Sequence, residues 1–472
     1  MSRTLVWFRS DLRVRDNPAL FHSAAKNEVV AVYCLCPDQW LEHNDSPNKL
    51  WFWMQNLNQL EQSLNKLGIP LVIIQPDRFE NCAKQLLELA QNLKCDGISY
   101  NNEHGLNEEH RDLCVEQLFR KKNLECQRFT DQTLITPGQL LNGKGEYFKV
   151  FTPFRKALYR TIEPHQIQPL PVPEKQKSVL LPEVEKVDYK DLFSPAEAIS
   201  QRWPAGEEEA GDRLKAFIEL HAIDYKKLRD YPAIDATSTL SPYLVSGVIS
   251  LRQCFYAALQ ANNGELDSGN DGLQCWMSEL IWREFYKHIL HGFPRLSKGQ
   301  AFITETERLP WSQNNKTFNA WCNGETGFPL VDAAMKQLVN TGWMHNRLRM
   351  VTAMFLTKNL MIDWRLGEAF FMQHLIDGDL SANNGGWQWS ASTGTDAAPY
   401  FRMFNPVSQS EKFDASGQFI RQWLPQLKEQ GNKEIHAPWQ YDIHDIDYPT
   451  PIIDHKLSRE KVLSAFKALK QP

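Results

Sequence analysis

Short apolar runs and longer amphipathic stretches alternate through the first 130 residues. Positions 5–8 (Leu-Val-Trp-Phe) and 29–35 are compact apolar runs. Positions 71–74 and 98–100 are further ones, and 124–129 is weaker. Runs of this length bounded by turn formers read as buried strands. Between them, 47–67 carries apolar residues at helical spacing. Ser46 stands where it can cap the start, Pro47 takes the first helical position and Gly68 follows the end. The stretch 79–93 repeats the helical period. Strand–helix alternation predicts a doubly wound parallel sheet, Rossmann-like in class, covered by helices.

The pattern changes at 164–204, where Pro164, Pro169, Pro171, Pro173, Pro182, Pro195 and Pro204 fall among Glu and Lys. This reads as a long surface connector. Beyond it the periodicity is helical and strand-like runs are few. No internal repeat or low-complexity segment occurs. The expected organisation is an α/β domain over 1–130, a linker with a helix over 131–204, and a larger all-α domain over 205–472.

Composition narrows the class. The chain has 472 residues, 42% hydrophobic and 23% charged, which suits two or three globular domains and excludes a disordered or collagen-like chain. No apolar run approaches the ~18 residues of a membrane span, and the first residues lack the apolar core of a secretory signal. Nine Cys without a CxxC pair read as reduced thiols, with neither a disulfide frame nor a metal site. Cys34 and Cys36 are expected on one strand. A cytoplasmic protein is the expectation.

Charge and tryptophan are unevenly spread. The net charge is −5, yet residues 281–365 hold eleven Lys/Arg against six Asp/Glu. A locally basic face on an acidic protein can engage phosphates. Eight of the 15 Trp lie between Trp276 and Trp389. Any one of them reads first as core, but eight together predict a special role for some.

The usual catalytic signatures are missing: no GxGxxG, P-loop, HExxH or GxSxG occurs. Three segments are denser in chemistry. In 276–286 (WMSELIWREFY) the helical period puts Trp276, Glu279 and Arg283 on one face, flanked by Trp282 and Tyr286. Glu279 among aromatics suits proton sharing with a carbonyl-bearing ligand if buried, and it equally suits an i,i+4 ion pair with Arg283; spacing leaves both open. In 342–350 (GWMHNRLRM) Asn346, Arg349 and Met350 share a face that suits a base pocket with phosphate contacts. Met350 alone reads as core, and His345 as a structural histidine. In 377–389 (DGDLSANNGGWQW) two acids, two amides and glycines precede a Trp-x-Trp pair at an expected helix start, the glycines permitting close approach of a ligand. The hydroxyl run Thr237-Ser238-Thr239-Leu240-Ser241 suits phosphate oxygens or a helix N-cap.

Taken together, these motifs resemble the photolyase/cryptochrome family, from Val6-Trp7-Phe8-Arg9-Ser10-Asp11-Leu12-Arg13 to about Trp439. The likeness is strongest to bacterial class I cyclobutane pyrimidine dimer photolyases. It implies an α/β antenna domain, a linker and a helical domain holding FAD. The implied activity is light-driven electron transfer from reduced, anionic FAD that splits cyclobutane dimers in ultraviolet-damaged DNA, with the dimer flipped out of the stack. The cofactor would carry the difficult chemistry, which accounts for the missing acid–base constellation.

By resemblance, Tyr225, Thr237, Ser238, Thr239, Leu240, Ser241, Trp276, Arg283, Arg349, Asp377, Gly378, Asp379 and Asn383 belong to the flavin pocket. The family commonly has Arg where Thr239 stands. Asn383 matches the position facing flavin N5. Trp387, Trp364 and Trp311 match a relay that photoreduces oxidised flavin, leaving Trp321 and Trp343 as core. Glu279, Asn346 and Met350 match dimer contacts; Trp282 and Trp389 match aromatic walls, with Tyr286 beside them; Arg229 and Arg347 match DNA-backbone contacts. His43, Asn107, Glu108 and Lys298 match the site of a methenyltetrahydrofolate antenna, although Ser297 stands where a relative has Cys and deazaflavin binders share this domain. A monomer without an obligate protein partner, nucleoid-associated when on damaged DNA, is expected.

Three other readings use the same residues. A signalling cryptochrome is disfavoured by Asn383, Glu279 and Met350 together. A (6-4) photolyase is disfavoured because Asn346, not a second His, follows His345. A light-independent flavin protein or plain nucleic-acid binder would leave the Trp-x-Trp pair as packing.

Overall fold

The computed structural model describes residues 2–179, 181–182, 187–195, 197–441 and 446–469. The five expected strands all form: β1 Arg3–Phe8, β2 Glu28–Cys34, β3 Leu71–Ile74, β4 Gly97–Asn101 and β5 Glu125–Phe129. They make one parallel sheet in the order β3-β2-β1-β4-β5. β1 and β2 are almost wholly buried, as expected of strands covered on both faces. The helix Pro47–Lys66 starts as its sequence predicts, with the Ser46 hydroxyl accepting from Asn48 N (3.2 Å). Gly68 ends that turn at φ 73°, and a Cβ there would lie 2.5 Å from the Gln176 carbonyl oxygen. One expectation is corrected: β2 ends at Cys34, and Cys36 caps the next helix, Pro37–Glu42. Pro37 cannot donate to a ladder, so the strand cannot continue.

The sheet order reverses between β1 and β4, the place where α/β folds open a crevice at the strand ends. Here buried polar side chains fill it. Asn101 Nδ2 donates to Asp11 Oδ2 (2.6 Å) and Asn17 Oδ1 (2.9 Å), and Arg9 Nη1 donates to Asp112 Oδ1 (2.9 Å).

The chain divides into two compact units. The first comprises Met1–Pro195, Trp203–Lys226 and Ser238–Pro294; the second comprises Ala196–Arg202, Lys227–Thr237 and Arg295–Pro472. The first unit therefore holds the sheet together with the helices Glu207–Leu220, Leu251–Ala261 and Asp271–Gly292. Two buried ion-pair centres join these parts: Arg252 reaches Asp16 (3.0 Å) and Asp131 (2.9 Å), and Arg13 pairs with the same Asp131. Glu284, fully buried on the helix Asp271–Gly292, accepts from Leu134 N and Ile135 N at 3.0 Å each.

The second unit is helical, with Pro329–Thr341, Asn346–Met354, Trp364–His374 and Leu380–Ala391 around a core that includes Trp321, Met335, Leu348, Phe371 and Trp387. Among the described residues no helix is long and apolar enough to cross a membrane.

Candidate functional site

The expected site residues fall on both units. In the first unit, Trp276 and Tyr225 are buried around Phe217, with ring centroids 4.8 and 5.6 Å from it. Arg283 is half-buried and donates to the carbonyls of Gln132 (3.2 Å) and Leu244 (3.1 Å). Its fork is thus oriented by backbone from segments 151 and 39 residues away in the chain. Glu279 and Tyr286 are half-buried on the same helix. Trp282 stacks on Phe151 at 3.7 Å and 8°. Phe151 thus covers one face of the Trp282 ring, and only its aromatic character could have suggested it.

The hydroxyl run is not a side-chain cap. Leu240 takes the N-cap position of Ser241–Val245 without a side-chain hydrogen bond. Thr239 holds φ 49°, in the left-handed region, where a β-branched residue is strained. Its hydroxyl accepts from Arg213 Nη1 (3.2 Å). Arg213 comes from Glu207–Leu220 and lies over the Trp203 and Tyr243 rings. A guanidinium therefore reaches Thr239 from another helix.

In the second unit, Arg349 makes a two-oxygen contact with Asp377 (2.8 and 3.0 Å) while its Nε donates to Met344 O (2.8 Å). Asp379 is the N-cap of Leu380–Ala391, accepting from Ala382 N (3.0 Å) and from the Ser381 hydroxyl. Gly378 is buried before it. Asn383, on the first turn, donates to the Glu368 carbonyl (3.0 Å), which fixes the amide. Sequence reasoning missed the layer behind it. Glu368 is half-buried and accepts from Asn384 (2.9 Å), whose oxygen accepts from Gln388 (2.9 Å). Burial, opposed by that Asn384 hydrogen bond, lifts the Glu368 carboxyl to about 7.

The three expected relay tryptophans all lie in this unit and grade in exposure. Trp387 and Trp364 are buried, and Trp311 is half-buried against the edge of the core. Gly367 makes room for the first: a Cβ there would stand 2.2 Å from Trp387 Cη2. Trp321 is fully buried as expected of core and lies 5.9 Å from Trp387, centroid to centroid. Trp343 is also buried.

His345 is the N-cap of the helix Asn346–Met354, its Nδ1 accepting from Arg347 N (3.2 Å). Burial pushes it down to about 4, so it is a neutral structural histidine. It presents Asn346 as exposed and Arg347 and Met350 as half-buried. Arg347 is held by Asp230 (2.8 Å) over the Phe413 ring (4.5 Å). Arg229 lies 4.0 Å from the same Asp230. Trp389 is half-buried on Leu380–Ala391.

The first unit also gathers three of the four expected antenna residues. His43 Nε2 lies 2.8 Å from Asn107 Nδ2 and 3.0 Å from Gln39 Nε2, and His43 Nδ1 lies 4.0 Å from Glu108. Phe79 packs its edge on the His43 ring. Lys298 is exposed at the end of Pro294–Lys298.

Comparisons with known proteins identify the family. A family model described as DNA photolyase matches residues 4–174, and one described as the FAD binding domain of DNA photolyase matches 276–468. The deoxyribodipyrimidine photo-lyase of Vibrio cholerae is 44% identical over 477 residues, covering 99% of each chain. That of Escherichia coli is 42% identical over 478 residues, covering both chains fully. A bacterial class III photolyase from Agrobacterium tumefaciens has a TM-score of 0.90 at 34% identity, covering 100% of this chain and 98% of that one. A Synechocystis cryptochrome reaches 0.87 at 28% identity, covering 98% and 99%. Full-length identity of this order, over a parallel sheet followed by a tryptophan-rich helical part, means that the chain belongs to the DNA photolyase family.

Proposed function

We propose that this chain is a deoxyribodipyrimidine photo-lyase: it binds FAD and repairs ultraviolet-damaged DNA in a light-dependent reaction that reopens cyclobutane pyrimidine dimers. The observation that carries the reading is identity of 42–44% over the full chain to enzymes of that name. The donor chemistry fits FAD. Thr237, Ser238, Thr239 and Ser241, with the Arg213 guanidinium, suit a diphosphate, and the Arg349–Asp377 pair with Asp379 suits the polar edge of a flavin. Bound FAD supplies light absorption and the electron.

The chain's own residues orient and insulate. Trp276 and Tyr225 exclude water on one unit. Asn383, fixed by the Glu368 carbonyl, would offer the flavin a neutral amide. Glu279, Asn346 and Met350 contact the dimer, and Trp282 and Trp389 wall it, each base stacked on such a ring being worth ~1–3 kcal/mol. Arg229 and Arg347, which share Asp230, hold the DNA backbone. Trp387, Trp364 and Trp311 pass electrons from the surface inward. Functionally, 1–130 serves the antenna, 131–204 links, and 205–472 serves flavin and DNA. The cluster of His43, Asn107 and Glu108 takes a reduced folate, methenyltetrahydrofolate, and Lys298 is assigned to the same role by resemblance alone. The enzyme acts as a monomer in the cytoplasm.

The test is dimer loss from ultraviolet-irradiated oligo-thymidine by reduced protein, in blue light and in darkness, read as recovery of base absorbance. Recovery only in light is expected, and an action spectrum then reports the antenna. No recovery with FAD bound and reduced would overturn the reading.

A further inference from the structure

Three thiols of the first unit converge at the end of β2. Cys36 caps the helix Pro37–Glu42, and its Sγ lies 3.6 Å from the Sγ of Cys82 on the helix Phe79–Asn92. Both are buried, as is Cys34 two residues earlier. We propose that Cys36 and Cys82 form a reversible disulfide, a modification site that ties the end of β2 to the helix Phe79–Asn92.

The geometry is that of sulfurs in contact. A bond of ~2.05 Å needs them to close by about 1.5 Å, which side-chain rotation at a strand-to-helix junction can supply. The surroundings set the reactivity. Hydrogen bonds from Cys34 and Cys36, aided by Arg111 and Arg9, hold the Cys82 thiol below its ordinary value. Arg111 and Arg9 are buried over the Trp7 ring and share Asp112. Burial has the opposite effect on Cys95, Cys254 and Cys322, whose thiols it pushes up to about 12. A thiolate is the nucleophilic form, and Cys82 is the one placed beside a second thiol. Among the described residues no group of His, Cys, Asp or Glu is arranged to hold a metal ion, so the sulfurs are not spoken for.

The oxidant is a hydroperoxide. The Cys82 thiolate attacks one peroxide oxygen and the O–O bond breaks, giving a sulfenic acid and, from hydrogen peroxide, hydroxide. The Cys36 sulfur then attacks the Cys82 sulfur. The S–S bond forms, the S–O bond breaks, and the leaving hydroxyl departs as water with the Cys36 proton. The two sulfurs lose two electrons, which the peroxide takes; an external dithiol reverses the step.

The test uses the native protein treated with hydrogen peroxide, alkylated, unfolded and digested for mass mapping. Loss of two of the nine thiols, a peptide pair joining Cys36 to Cys82, and full recovery with dithiothreitol are expected. In Cys36→Ser the cross-link disappears and Cys82 is trapped as a dimedone adduct; in Cys82→Ser, Cys36 stays reduced. The wild-type map decides the matter even if neither variant folds. Cys82 remaining a thiol while the less buried Cys114 and Cys275 oxidise, or Cys82 linked to any other cysteine, would overturn the proposal.

Discussion

Removing the Arg213 side chain should loosen FAD, and placing Arg at 239 should restore it. Arg213→Met deletes the guanidinium whose Nη1 donates to Thr239 Oγ1 at 3.2 Å and keeps most of the packing on Trp203 and Tyr243. A hydrogen bond from a charged donor is worth about 1.5–3 kcal/mol. Arg213 is 24% exposed and shares its charge with Glu209 at 2.6 Å, so the lower part of that range applies. About 1.5–2 kcal/mol corresponds to roughly 13–30-fold in the FAD dissociation constant. Adding Thr239→Arg returns a guanidinium to the run, and it replaces a β-branched residue at φ 49° by one that tolerates the left-handed region better. The double variant should recover most of the affinity. FAD release would be followed by flavin fluorescence on equilibrium dialysis, beside the thermal midpoint of the apoprotein. Unchanged affinity in Arg213→Met, or a double variant as weak as the single one at equal apoprotein stability, would refute the argument.

Other perturbations bear on separate parts. Gly367→Ala should destabilise by about 1–3 kcal/mol through overpacking on Trp387 and Leu356. It should also slow photoreduction while leaving repair by chemically reduced enzyme; unfolding midpoints and light-driven bleaching at the flavin band check both. Glu284→Gln keeps the shape but turns an NH2 toward a backbone N–H, a loss of about 1–3 kcal/mol seen as a lower Tm without altered FAD spectra. Trp311→Phe should block photoreduction and spare repair after chemical reduction; loss of both would mean it is not a relay. DNA binding should weaken steeply with salt, and Arg347→Ala should reduce the salt slope by about one; an unchanged slope would remove it from the phosphate contacts.

The sheet was legible because each strand is short, apolar and bounded, and Ser46, Pro47 and Gly68 mark the ends of one helix by local chemistry. The end of β2 was not, because Val29 to Leu35 is one apolar run and only Pro37 breaks it. The Arg349–Asp377 pair was legible because opposite charges carry it. Long-range supports were not. Phe151 lies 131 residues before Trp282, and Leu134 and Ile135 lie about 150 before Glu284. A backbone N–H or carbonyl has no residue type to read, so long-range partners of that kind leave no mark in a single sequence.

That blind spot matters for function, because the side chains with chemistry to offer are aimed by backbone. Arg283 is held by two carbonyls, Arg349 by Met344 O and Asn383 by Glu368 O. Groups fixed before a ligand arrives lose little conformational freedom when it binds, and donors already pointed at a forming charge need no reorganisation when the electron moves. Glu368 extends the same logic. Lifted to about 7 by burial, its carboxyl is largely protonated below that pH and ionised above it, although it accepts from Asn384 in either state. As pH rises through 7, a negative charge appears one layer behind the amide at Asn383. The potential at that amide must become more negative in the same interval.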